Sequence, residues 1–256
     1  MKISSVLKYL ILFTFIIFLY LPISKIFIES FYDNDEFTLK WYYLLFKRTD
    51  IISSLFNSLF TSFLSVLIAL IISLSGIFYI FLGGNKKLLS IVAINIIIPE
   101  IVFAMALMLF FSYFSIPLGK FSLITTYTTL AIGYIFPLIY QRWNDLDYSL
   151  INAAYDLGGT SKKIWKTIVL PLITPMILVS SFLAMILLFD DYIISYFCGS
   201  SNFIMITMPI LSMLRTGIIP EIKALSVLLM VFSFLIGILY FIYAGFPSSN
   251  EEDDEI

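Results

Sequence analysis

The chain of 256 residues has no histidine and a single cysteine, Cys198. A zinc site of the usual nitrogen and sulfur type needs three or four such ligands, so none can be assembled. One cysteine also leaves no partner for an intrachain disulfide. Charge is scarce as well. Asp, Glu, Lys and Arg make up 12% of the residues, where a soluble domain carries roughly a quarter. There is no glycine-rich loop of the Walker type and no Gly-x-Ser-x-Gly elbow. The chain therefore lacks the familiar apparatus for hydrolysing ATP by itself, and a membrane enzyme would lack its nucleophile motif. The net charge of −2 says little, because five of the seventeen acids sit together in Glu251 to Glu255.

What is present is apolar. Hydrophobic residues reach 61% and the mean hydropathy is +1.02. Too little polar surface remains to cover a globule in water, so the solvent is lipid. Lipid offers no partner to backbone N–H and C=O groups, which leaves helices as the spanning element for runs of this length. About 20 apolar residues cross a bilayer. The sequence predicts an all-α polytopic membrane protein, a single domain over 1–256, with six spans at about 9–28, 55–82, 88–114, 121–140, 172–189 and 224–246. The first run is too long for a signal peptide and no small-x-small cleavage site follows it, so it is expected to be retained as an anchor. The acidic tail 247–256 is expected to be disordered.

The largest polar interruption is the loop 141–171. Within it Leu150, Ala153, Ala154 and Leu157 fall at i, i+3, i+4 and i+7, one face of a helix. Two small residues on that face let a bulky group approach, so it reads as a docking face, with Asn152 beside it. Gly158 is placed to end the helix in the left-handed conformation wanted at C′. Ser161 is expected to cap a second short helix with Ile164, Trp165 and Ile168 on one face, and Pro171 to break it before the fifth span.

Three acids stand in or at the edge of lipid. Glu100 lies in the third span, where a lone acid costs on the order of 2.5–3.5 kcal/mol on insertion scales. Pro99 before it predicts a kink. Asp190 and Asp191 end the fifth span. Adjacent carboxylates repel unless a cation sits with them. Lys25 is the only basic residue inside another span, near its end. A cationic substrate is thus easier to supply than a basic protein partner, and Tyr192 and Tyr196 are close enough in sequence to offer ring faces to an ammonium.

The run "NAAYDLGGTSKKIWKTIVLP" resembles the EAA loop of ABC-importer permease subunits: Ala153 and Ala154, then Gly158, then Leu170-Pro171. Asn152 stands where that family has Glu. "IPEIVFAMALMLFF", "FDDYIISYF" and "ILSMLRTGIIPEIKALSVLL", with "KWYYLLF" nearer the start, are similar to the spermidine/putrescine permease family, most of all its C subunit. The likeness runs from about Lys40 to Leu229. It implies the type I ABC-importer permease fold (MetI-like) and a bacterial inner-membrane location. It also implies that the helix carrying Leu150, Asn152, Ala153, Ala154, Leu157 and Gly158 couples to a separate ATPase dimer. ATP and Mg would be bound by that ATPase, with no cofactor in this chain. A second permease subunit and an extracytoplasmic binding protein would complete the assembly, and nucleic acid would have no part. Glu100, Asp190, Asp191 and Tyr192 would lie on the substrate pathway. Iron and thiamine importers share parts of these signatures. A stand-alone secondary transporter would show inverted repeats, and no convincing repeat is present.

Six spans put both termini on one side. The positive-inside count is eight basic residues on that side against seven on the other, which decides little. The basic turns near Lys86 and Lys162 favour cytoplasmic termini, as does the EAA loop.

Overall fold

The computed structural model describes residues 2–33, 36–85, 98–216 and 220–244. The expectations for Lys86 and Lys87, for 88–97 and for the acidic tail fall outside them. The helices are α1 (Lys2–Glu29), α2 (Lys40–Lys47), α3 (Thr49–Phe81), α4 (Glu100–Tyr113), α5 (Lys120–Asn144), α6 (Tyr148–Asp156), α7 (Ser161–Ile164), α8 (Leu170–Phe189), α9 (Ile193–Cys198), α10 (Thr207–Thr216) and α11 (Pro220–Ala244). A two-residue antiparallel pair, β1 (Tyr32–Asp33) with β2 (Glu36–Phe37), is the only sheet among the described residues. Four helices among the described residues are long and apolar enough to cross a membrane. The chain divides into two compact units, Met1–Ile52 with Ile210–Ile256, and Ser53–Pro209.

In the first unit α11 packs against α1 and α2. Lys223 Nζ meets Glu29 at 2.6 Å, and Lys25 lies 3.7 Å from the same carboxylate one turn back on α1. Lys25, the one basic residue inside a predicted span, thus has its partner on its own helix.

The second unit is built on α5. Of its most apolar window 61% is buried, against 22% for the helix that ends in α8. Leu123, Tyr127, Ala131, Ile135 and Ile139 are fully inside. Their spacing of four, four, four and four residues keeps them on one slowly turning face. Two hydroxyls on α5 are satisfied within the helix, Thr125 on Phe121 C=O and Thr129 on Thr125 C=O, which lets them sit in an apolar bundle. α8 packs along α5, and α9 packs on both α4 and α5.

Two expectations about proline are corrected. Pro171 does not break the chain. The helix runs from Ser161 to Phe189 through a π-turn at Trp165–Val169. In it Leu170 N–H reaches back five residues to Trp165 C=O. The wider turn makes room for the ring of Pro171 and needs no N–H from it. Pro99 does not kink a continuous helix through Glu100 either. Residues 98 and 99 are non-helical, Pro99 holds the N-cap position, and α4 starts at Glu100. Pro is well placed there because its missing donor is not needed.

Candidate functional site

A cavity of about 390 Å³ opens among α4, α5, α8 and the α8–α9 junction. Its polar lining is Glu100, Asp190, Asp191, Tyr134 and Tyr192, and its apolar lining comes from Leu130, Ile186, Leu187 and Ile193. Glu100 is in the first turn of α4, where the helix dipole favours a negative charge. Asp190 is the C-cap of α8. Both are exposed to the cavity side, whereas Asp191 is only 8% exposed. The Glu100 carboxyl is within hydrogen-bonding and electrostatic reach of that of Asp191. Among the described residues, none of the three acids is paired with a lysine or arginine.

Asp191 is held firmly. Its Oδ2 accepts from Tyr127 Oη at 2.8 Å, Ile194 N at 3.0 Å and Ser195 N at 3.2 Å. It therefore caps the short helix α9, whose first N–H groups have no partner within the helix. Its backbone carbonyl accepts from Ser195 Oγ and Thr207 Oγ1. Glu100 of the third predicted span and Asp190 and Asp191 at the end of the fifth come together in one cavity. Tyr192 lines it, and Tyr196 stacks behind at a centroid distance of 5.8 Å without lining it. Sequence reasoning missed Tyr127, Tyr134 and Ser195. Tyr127, Leu130 and Tyr134 stand at i, i+3 and i+7, so a search for polar groups on the apolar face of the fourth span would have found both tyrosines.

At the end of α5 lies the polar loop. Asp147 caps α6 by accepting from Ser149 N at 2.8 Å and from Ser149 Oγ at 2.7 Å. These two donations, the hydroxyl first, hold the Asp147 carboxyl below its usual range. Gly158 (φ +80°) ends the helix as expected. Its N–H bonds Tyr155 C=O and Gly159 N–H bonds Ala154 C=O, the paired bonds of a Schellman motif. Thr160, not Ser161, takes the next N-cap position, and Ser161 Oγ is engaged by Tyr155 Oη at 3.1 Å. Ile164 is buried, and Trp165 and Ile168 pack on the core.

The four residues of the predicted docking face divide. Leu150, Ala153 and Leu157 are exposed, Leu157 to 89%. Ala154 instead turns to the core beside buried Ile151. Asn152 and Gly158 are also exposed. Beneath the helix is an aromatic seat. Trp165 contacts Phe78 at 5.1 Å and Phe81 at 5.5 Å, and Trp143 meets Tyr148 of α6 at 5.8 Å.

Residues 84–246 match the family described as "Binding-protein-dependent transport system inner membrane component". The chain belongs to that family. It is 29% identical over 225 residues to the spermidine/putrescine transport system permease protein PotC of Escherichia coli (strain K12), covering 84% of this chain and 85% of that one. The PotC of Haemophilus influenzae is 27% identical, covering 89% and 93%. The putrescine transport system permease protein PotI of E. coli (strain K12) is 26% identical, covering 83% and 82%. In fold the chain resembles a bacterial ABC transporter involved in import of the acidic polysaccharide alginate, with a TM-score of 0.74 at 16% identity over 95% of this chain and 96% of that one. It also resembles the inward-facing MetNI methionine ABC transporter, with a TM-score of 0.62 at 18% identity over 76% and 94%. The chain is thus a multi-pass inner-membrane permease with the MetI-like fold, homologous to polyamine permeases.

Proposed function

We propose that the chain is the permease subunit of an ATP-driven importer that carries polyamines inward through the cavity at Glu100, Asp190 and Asp191. The observation that carries this reading is the cavity itself. It gathers three carboxyl groups and no basic residue, with two tyrosines and four aliphatic side chains between them. A linear polyamine has the complementary pattern, ammonium groups separated by methylenes. Ammonium and carboxylate neutralise each other where either alone would be costly. Tyr134 and Tyr192 offer ring faces to the cation, and Leu130, Ile186 and Leu187 offer apolar contact to the methylenes. The names of the relatives point the same way.

In this reading the exposed residues Leu150, Asn152, Ala153 and Leu157, closed off by Gly158, dock on a separate ATPase that holds ATP and Mg, and both termini are cytoplasmic. A second permease subunit and an external binding protein complete the system. The test is uptake of labelled spermidine and putrescine by cells expressing Glu100→Gln or Asp191→Asn with the partner subunits. Asparagine can still cap α9, so the fold should persist. Losing one charge-assisted contact should lower uptake by about tenfold or more. Wild-type uptake in both variants, at wild-type expression, would remove these acids from the pathway.

A further inference from the structure

The Tyr127 hydroxyl sits where a phenylalanine would pack equally well by shape. The residue is fully buried and does not line the cavity. A buried hydroxyl is costly unless hydrogen-bonded, and this one is spent on Asp191 Oδ2 at 2.8 Å. It also lies 2.8 Å from Ser195 Oγ. Each hydroxyl has one proton. Tyr127 gives its own to Asp191, so Ser195 must donate toward Tyr127, sharing its proton with the Asp191 carbonyl at 3.0 Å. Oδ2 thus receives three donors from two directions: two N–H groups of α9 and one O–H from α5. Oδ1 has a single distant N–H, Ile194 at 3.4 Å. It is the oxygen with acceptor capacity to spare, on a residue that lines the cavity together with Glu100.

We propose that Tyr127 is a positioning residue for the cargo: its hydroxyl locks the Asp191 carboxylate so that Oδ1 and Glu100 together receive one ammonium group. The two N–H donors come from the segment that directly follows Asp191. The Tyr127 hydroxyl comes from α5, so it ties the carboxylate to a second helix. This inference rests on the cation-pathway reading above.

The experiment measures labelled spermidine binding to membranes from cells expressing the whole system, washed free of soluble binding protein. Tyr127→Phe removes one oxygen and keeps the ring. The expected result is a Kd weaker by about tenfold, the worth of one hydrogen bond to a charged group, with the number of sites unchanged. A purely structural role would lower the number of sites and leave Kd alone, and that outcome overturns the proposal. Combining Tyr127→Phe with Asp191→Asn should weaken binding no further than Asp191→Asn alone, because the hydroxyl acts through that carboxylate. Additive losses would overturn it. If Asp191→Asn itself leaves Kd unchanged, the cation-pathway reading fails and takes this inference with it. If Asp191→Asn weakens binding and Tyr127→Phe does not, the positioning role alone fails. Should Tyr127→Phe fail to insert, Ser195→Ala carries the test. It removes the hydroxyl behind Tyr127 and keeps both N–H groups, and an unchanged Kd there would overturn the proposal.

Discussion

The middle and the end of α5 hold surfaces of opposite kinds. Midway along it, Tyr127, Leu130 and Tyr134 back a cavity whose charged groups are all acids, one of them buried and bonded by three donors. At its finish, Trp143 supports a loop helix whose outward residues, Leu150 and Leu157, are bare apolar side chains. A carboxylate fixed in a low-dielectric site gains most from a cation that fits it. An apolar side chain standing in water gains most from a protein surface that covers it. Under the proposed function the same helix would present its middle to a charged small molecule and its end to a macromolecule. Variants at the two places should then fail differently.

The largest effect is expected at Leu157. It is 89% exposed, so Leu157→Asp removes no internal packing and should insert normally. It would bury an uncompensated carboxylate in the docked interface. Central interface residues cost ~2 kcal/mol or more when lost, so uptake should fall by at least about thirtyfold. Spermidine binding to washed membranes should stay at its wild-type Kd. Ala153→Asp should behave alike. Wild-type uptake in both variants would show that this face docks nothing.

Two glycines at positive φ differ in what surrounds them. Gly119 (φ +134°) is the N-cap position of α5, and a Cβ there would meet Ser200 Oγ at 2.8 Å. Gly158 (φ +80°) ends α6, with nothing within 4 Å of a Cβ. Gly158→Ala should therefore cost backbone strain alone, roughly 1 kcal/mol. Gly119→Ala adds a steric clash to a conformation nearly reserved for glycine, for about 2–3 kcal/mol. Thermal unfolding of the purified complex in detergent should rank them in that order. Equal losses would mean that Ser200 moves aside freely.

The sequence made the four long apolar helices and the helix end at Gly158 legible, because each rests on a local rule: apolar length and glycine at positive φ. The phase of α6 was not legible. Leu150 and Ile151 are adjacent and both apolar, so the helical repeat allowed either to face inward. The choice came from tertiary contact, with Ile151 buried and Ala154 following it round. Pro171 misled for a related reason. The rule that proline ends a helix assumes an α-helical ladder behind it, and a π-turn supplies another. The role of Asp191 was half visible. Its charge showed, but its cap on α9 and its bond to Tyr127, 64 positions earlier in the chain, are products of the fold.

The smallest expected effect contrasts two aspartates that do similar work. Asp191 and Asp147 each accept from backbone N–H groups at a helix start. Asp191 does so inside the bundle with an added donor from α5, and Asp147 does so in solvent with only Ser149. The Asp147 carboxyl is held below its ordinary value by those two donations. A carboxyl whose folded pKa is depressed stabilises the fold fully above its unfolded pKa of about 3.9, and this contribution fades as pH falls through the lower folded value. Protection of the Ser149 amide against hydrogen exchange, corrected for the intrinsic rate, should therefore be flat from pH 5 to 8, within the range above about 4 where the cap is intact. It should drop on further acidification. Asp147→Asn keeps an acceptor oxygen and cannot titrate, so its protection should be slightly lower at neutral pH and level throughout. A wild-type profile that stays level down to pH values of about 2 would mean that the turn is held by something other than this cap. Spermidine binding midway along α5 should not respond to either change, because an exposed first turn has no route to a carboxylate locked by its own three donors.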